Sequence, residues 1–168
     1  MARYCLECGH ELESREIERR LLDACPACAY VRWPDPKLVT ITVAETPAGL
    51  VFGRRAIEPG YGLWCLPGGF VNDDEHPAES AARECAEEIG AEVEVGRLIG
   101  IYHTMRRDGQ GMVALAYEAR VVDPGAVTAG HEMLEVVVAT PDQAPELVFP
   151  LHRRALSDWL LAREQSPA

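Results

Sequence analysis

Glu84, Glu87 and Glu88 stand at i, i+3 and i+4 in a run that reads as a helix, so their carboxylates share one face. Three like charges on one face destabilise a helix unless something neutralises them. A divalent cation is the obvious neutraliser, and a hard one such as Mg²⁺ prefers oxygen ligands. The spacing predicts a helix entered at Pro77, where a missing N–H is no loss, and left at Gly90. Ala78, Ala81, Ala82, Cys85 and Ile89 fall at core-facing positions on another side. The glycine-rich turn Leu66-Pro67-Gly68-Gly69 comes just before.

A second set of donors lies near the start. Cys5-Leu6-Glu7-Cys8 and Cys25-Pro26-Ala27-Cys28 are two Cys-x-x-Cys knuckles, which can offer four thiolates to one tetrahedral zinc. Two disulfides would need an oxidising compartment, and no signal-peptide pattern precedes these cysteines. A redox pair would have no need of the second knuckle. Cys5, Cys8, Cys25 and Cys28 are therefore expected to close one structural Zn²⁺ site with no open position. Gly9 serves the tight turn after the first knuckle. Cys65 and Cys85 are expected to be packing.

These donors need a scaffold. Residues 1–32 read as a zinc ribbon and Trp33-Pro34-Asp35-Pro36 as a stiff linker; residues 37–168 form the larger domain. Strands are expected at 38–44, from 50 to Arg55, at 63–66, 92–103, 111–122 and 133–140, and a closing helix from His152 to Arg163 carries Ala155, Leu156, Trp159 and Leu160 inward. Strands on both sides of the acidic helix, with a final helix, give an α/β/α sandwich around a mixed sheet. The net charge of −11, from 27 acidic and 16 basic residues, argues against bulk nucleic-acid binding. No apolar run reaches membrane-spanning length, so a soluble, cytoplasmic protein is expected. Lys37 is the one lysine, which reads as composition bias.

The run GFVNDDEHPAESAARECAEEIGA at 69–91 resembles the Nudix box, the signature of hydrolases that split a diphosphate linked to another group. Gly69, Glu75, Arg83, Glu84, Glu87, Glu88 and Gly90 meet its fixed positions, while Cys85 and Ala91 stand where bulkier apolar residues are usual. The resemblance implies the same α/β/α fold. It implies Mg²⁺ (or Mn²⁺) held by Glu84, Glu87 and Glu88, with the Gly68 carbonyl as a further ligand. Glu75 would support that site, and Arg83 would orient a neighbouring carboxylate. The general base would be a box glutamate or a later loop glutamate, Glu132 before Glu135. Arg54 and Arg55 are candidates for phosphate contact or for structural ion pairs. Tyr61, Trp64 and Phe70 are candidates for stacking on a base or for core packing. His103 and Arg106-Arg107 are weaker ones.

A zinc ribbon joined to such a domain resembles the NADH pyrophosphatase group and its shorter relatives acting on ADP-ribose or FAD. The group's Ser-Gln-Pro-Trp-Pro-Phe-Pro array is absent; the counterpart reads Pro145-Glu146-Leu147-Val148-Phe149-Pro150. The run from Arg54 to Trp64 looks more like the shorter relatives. The expectation is a homodimer that cleaves ADP-ribose or FAD to AMP and a second phosphate product. NADH or NAD is the alternative substrate. A further alternative is a nucleotide sensor whose ribbon binds nucleic acid or protein.

Overall fold

The computed structural model describes residues 4–106 and 108–165. The chain divides into two units, one ending at Pro36 and the other beginning at Lys37. In the first, β1 (Glu13–Ile17), β2 (Arg20–Ala24) and β3 (Val31–Arg32) form an antiparallel sheet in that order. Glu18 and Arg19 join β1 to β2 with φ of 50° and 65°. Two consecutive left-handed residues make the hairpin turn whose twist matches the strands. Cys5, Leu22, Ala24 and Cys25 are its buried residues. A core this small needs a staple.

The second unit is built on β4 (Lys37–Thr46). Its alternating residues send Ile41 and Val43 to one face and Thr40, Thr42 and Ala44 to the other. β5 (Gly49–Arg55) returns antiparallel but meets β4 only at Glu45–Leu50 and Thr46–Gly49. It then departs to pair with β9 (Met133–Ala139), with a bulge at Arg54/Arg55. The chain after β6 (Trp64–Cys65) fills the fork: Thr42 N–H donates to Pro67 O at 2.8 Å and Thr40 N–H to Gly69 O at 2.8 Å. On its other side β4 runs parallel to β8 (Gly111–Val121), and β7 (Val93–Met105) completes the order β6-β5-β4-β8-β7.

Helix α1 (Pro77–Ile89) covers one face, where Cys85 and Ile89 join Ala44, Val51, Ala91 and Val121. Cys85 and Ala91 are fully buried there, so the smaller residues leave this helix closely packed. Ala78 and Ala82 are only half-buried. Helix α2 (Pro150–Glu164) covers the other face with Ala155, Leu156 and Trp159. It begins two residues before the expected His152, because Pro150 takes the first turn. The result is the expected α/β/α sandwich around a mixed sheet. No helix of the described residues is long and apolar enough to cross a membrane.

Candidate active site

Helix α1 starts with a capping box: the His76 ring accepts from Ala78 N–H, and Glu79 accepts from His76 N–H at 2.8 Å. Gly90, at φ 65°, ends it. Both ends thus fix which way Arg83 and the three glutamates point.

The glutamates lie at graded depths. Glu88 is 3 % exposed, and the Glu84 and Glu87 side chains are 13 % and 49 % exposed. Glu88 Oε2 accepts the Gly68 N–H at 2.8 Å. The Gly68 backbone can make this approach because no Cβ would fit: it would lie 2.1 Å from Thr40 O. Gly69 is equally confined, since a Cβ there would meet the Glu84 carboxylate at 2.4 Å. The carbonyls flanking Gly68 are taken by Thr40 and Thr42, which leaves the Gly68 carbonyl outside that pairing.

Arg83 ties the outer carboxylates together. It holds Glu75 with two bonds, at 3.0 and 2.8 Å, and Nη1 reaches Glu84 at 2.9 Å and Glu87 at 3.0 Å. Nη2 also donates to Phe70 O at 3.0 Å. The Arg83 hydrogen bonds, with the Asn72 N–H, hold Glu75 down at about 2. Glu88 lacks this partner. Burial pushes its carboxyl up to about 8, against the Gly68 N–H, and the charges of Glu84 and Glu132 push the same way. Burial also raises Glu84, with Glu87 and Glu132 adding to the effect and Arg83 opposing it.

Glu132 is therefore within electrostatic reach of Glu84 and Glu88. Its loop is pinned to the end of α1: Thr128 N–H donates to Ile89 O at 3.0 Å and Gly130 N–H to Glu88 O at 2.9 Å. Glu135 faces elsewhere, paired with Arg54 Nη1 at 3.1 Å. Arg54 also donates through Nε to Gly62 O at 2.9 Å.

Arg55 is buried, donates to Pro59 O at 2.8 Å and lies 5.2 Å from the centre of the Phe149 ring. It lies beside the bulge at Arg54/Arg55, and its positive charge opposes the rise of the Glu88 carboxyl. Trp64 packs against the core. Tyr61 and Phe70 are 58 % and 51 % exposed and free to meet a planar ring, with Arg106 5.9 Å from the Phe70 ring centre. Arg107 lies outside the described residues. His103 is exposed on β7.

His152 is a polar residue of this region that the sequence reading passed over. Its Nδ1 accepts the Leu66 N–H at 3.1 Å. Only its place near the start of a helix marks it in the sequence, and that position says nothing about which strand it faces.

The cysteines form the tightest donor cluster. Among the described residues, Cys5, Cys8, Cys25 and Cys28 form the one group of three or more His, Cys, Asp or Glu side chains that could hold a metal ion, with their ligand atoms all within 4.8 Å of one another. The sulfurs of Cys8 and Cys25 are 3.4 Å apart, and those of Cys5 and Cys28 3.6 Å. A disulfide would need about 2.05 Å. Four sulfurs on one zinc, with bonds of about 2.3 Å, stand roughly 3.8 Å apart. The Ala27 N–H also points at Cys25 Sγ, at 3.4 Å.

The NUDIX domain family matches residues 36–160, which hold the whole carboxylate site. The chain belongs to the NUDIX family. It is 29 % identical over 131 residues to the ADP-ribose pyrophosphatase of Methanocaldococcus jannaschii, covering 78 % of this chain and 77 % of that protein. It is 26 % identical to the NAD-capped RNA hydrolase NudC of Pseudomonas aeruginosa, covering 99 % of this chain but 58 % of that one. A crystal structure of a NUDIX hydrolase from Nitrosomonas europaea matches with a TM-score of 0.85 at 27 % identity, covering 98 % of this chain and 94 % of the other. The chain is thus a Nudix hydrolase.

Proposed function

We propose that this Nudix hydrolase cleaves the diphosphate of a nucleoside diphosphate linked to another moiety, with ADP-ribose or FAD as substrate and AMP as one product. The observation that carries this reading is Glu88, a buried carboxylate beneath the Gly68 turn with Glu84 and Glu132 crowding its charge. A hard divalent cation suits that donor set. Glu84, Glu87, Glu88 and the Gly68 carbonyl would hold Mg²⁺ or Mn²⁺, which neutralises phosphate charge and activates water. Arg83, bonded to Glu75, keeps Glu84 and Glu87 aimed. Glu132 is the preferred proton acceptor, because its charge reaches Glu84 and Glu88 while Glu135 is held by Arg54. Phe70 and Tyr61 are the rings left exposed for a base or flavin.

ADP-ribose is supported by the name of the Methanocaldococcus jannaschii relative, and the missing proline-rich array keeps FAD beside it ahead of NADH. NADH or NAD is the second reading, favoured by the alignment of the Pseudomonas protein along nearly all of this chain. The four cysteines hold a structural Zn²⁺, supported by their sulfur spacing. The test is Mg²⁺-dependent hydrolysis of ADP-ribose, FAD, NADH and NAD in ¹⁸O-labelled water. The expected result is AMP, with one labelled oxygen in one of the two products. No turnover of any of the four with Mg²⁺ or Mn²⁺ would overturn the reading. Clear preference for NADH would replace the substrate and leave the reaction.

A further inference from the structure

His152 lies on α2 and not on the carboxylate-bearing helix, yet its ring accepts the N–H of Leu66, which leads into the glycine turn. We propose that His152 is a positioning residue: by accepting the Leu66 N–H it fixes the Gly68 amide, and through that amide it sets the metal-facing carboxylate of Glu88. This rests on the reading of Glu88 as a metal ligand.

The argument starts from backbone pairing. Trp64 bridges Leu147 in parallel, and Val148 N–H donates to Trp64 O at 2.9 Å. That pairing cannot continue, because the chain turns into α2 at Pro150. Leu66 is fully buried, and its N–H would lose its acceptor. A buried donor left without an acceptor destabilises the fold. The His152 ring replaces the missing carbonyl.

Only Pro67 separates the two anchored amides. Its ring fixes φ and it is fully buried, so Leu66 and Gly68 move together. The other side of the turn is clamped to β4 through Pro67 O and Gly69 O. His152 therefore closes the last free edge of a loop whose Gly68 N–H touches Glu88. Burial and the nearby Arg55 charge push the imidazole down to about 3, so Nδ1 keeps its lone pair at working pH. Phe149, whose ring centre is 5.0 Å away, supports the ring.

The test compares His152→Leu, His152→Asn and His152→Gln in the full chain. Asn places an oxygen where Nδ1 stands, and Gln places it further out. Amide hydrogen exchange at Leu66 and Gly68 reads the turn; titration with Mn²⁺ alone, followed by loss of the free-ion resonance, reads the site. With His152→Leu both amides should exchange at least roughly tenfold faster, and Mn²⁺ affinity should fall about tenfold, the scale of lost support to a metal ligand. His152→Asn should recover most of both. Should the Leu variant fail to fold, Asn against Gln gives the same comparison, with Gln the weaker binder. Unchanged Mn²⁺ affinity in a variant whose Gly68 amide has loosened would overturn the proposal, as would an unloosened amide. A parent protein that binds no Mn²⁺ would instead sink the assignment of Glu88, and exchange at Gly68 would then show whether His152 still holds the turn.

Discussion

Arg83 stands between Glu75, Glu84 and Glu87 and offsets the like charges that helix α1 and the turn before it bring together. Glu88 has no such partner, and a pH prediction follows. Its folded-state pKa, about 8, lies above the ordinary 4.5. Between those values the metal-free folded protein holds a proton that the unfolded chain has released, so this group's contribution to stability falls as pH rises towards 8. Metal needs the ionised form, so Mg²⁺ binding at pH 7 should release close to one proton from Glu88. Affinity should climb about tenfold per pH unit up to roughly 8 and then level off. Calorimetry in two buffers of different ionisation enthalpy measures the release. Glu88→Gln should abolish it and lower turnover by about a hundredfold or more. Proton release unchanged in that variant would move the titrating group elsewhere. Helical spacing in the sequence puts the three glutamates together. It does not reveal their depths, because the burial of Glu88 depends on the Gly68 turn packed above it.

At the scale of elements, the loop carrying Glu132 is held by carbonyls that the end of α1 leaves free. Gly130 makes this possible: a Cβ there would lie 1.8 Å from Glu87 O. Gly130→Ala should push the loop off the helix, at about 1–3 kcal/mol of stability, the cost of overpacking. Turnover should fall at least roughly tenfold, with Mn²⁺ affinity affected less, because the loop positions Glu132 and not the box. Steady-state kinetics beside metal titration separates the two, and a normal rate would show that Glu132 has no part in proton transfer. The strands of the larger unit and both helices were legible because their apolar periods are long and the ends of α1 carry Pro77 and Gly90. The β1–β2 hairpin was not, since Glu18 and Arg19 fill a turn usually marked by Asn-Gly. Nor was the fork between β4 and β5, which depends on β9 drawing β5 aside from far along the chain. Nor was the burial of Arg55, which lies beside a bulge in that same pairing.

For the whole molecule, the cysteine cluster sits in the first unit and the carboxylate site in the second. Freshly purified protein should contain one zinc per chain. A strong chelator should melt the first unit, whose buried core is small, while the second keeps its cooperative transition. Metal analysis with thermal melts watched by circular dichroism checks this, and two disulfides by mass spectrometry in place of zinc would refute it.

The border between the units carries one more consequence. Lys37, the only lysine in the sequence, is the first residue of β4 and is exposed, and the four residues before it are exposed too. A protease that cuts only after lysine therefore has a single address on the whole chain, at the seam. Limited digestion should yield two fragments, one ending at Lys37 and the other beginning at Leu38, readable by mass. The larger fragment should retain Mg²⁺-dependent turnover, since every proposed catalytic residue lies beyond the cut. Loss of turnover on cleavage would mean that the short fragment takes part in the reaction.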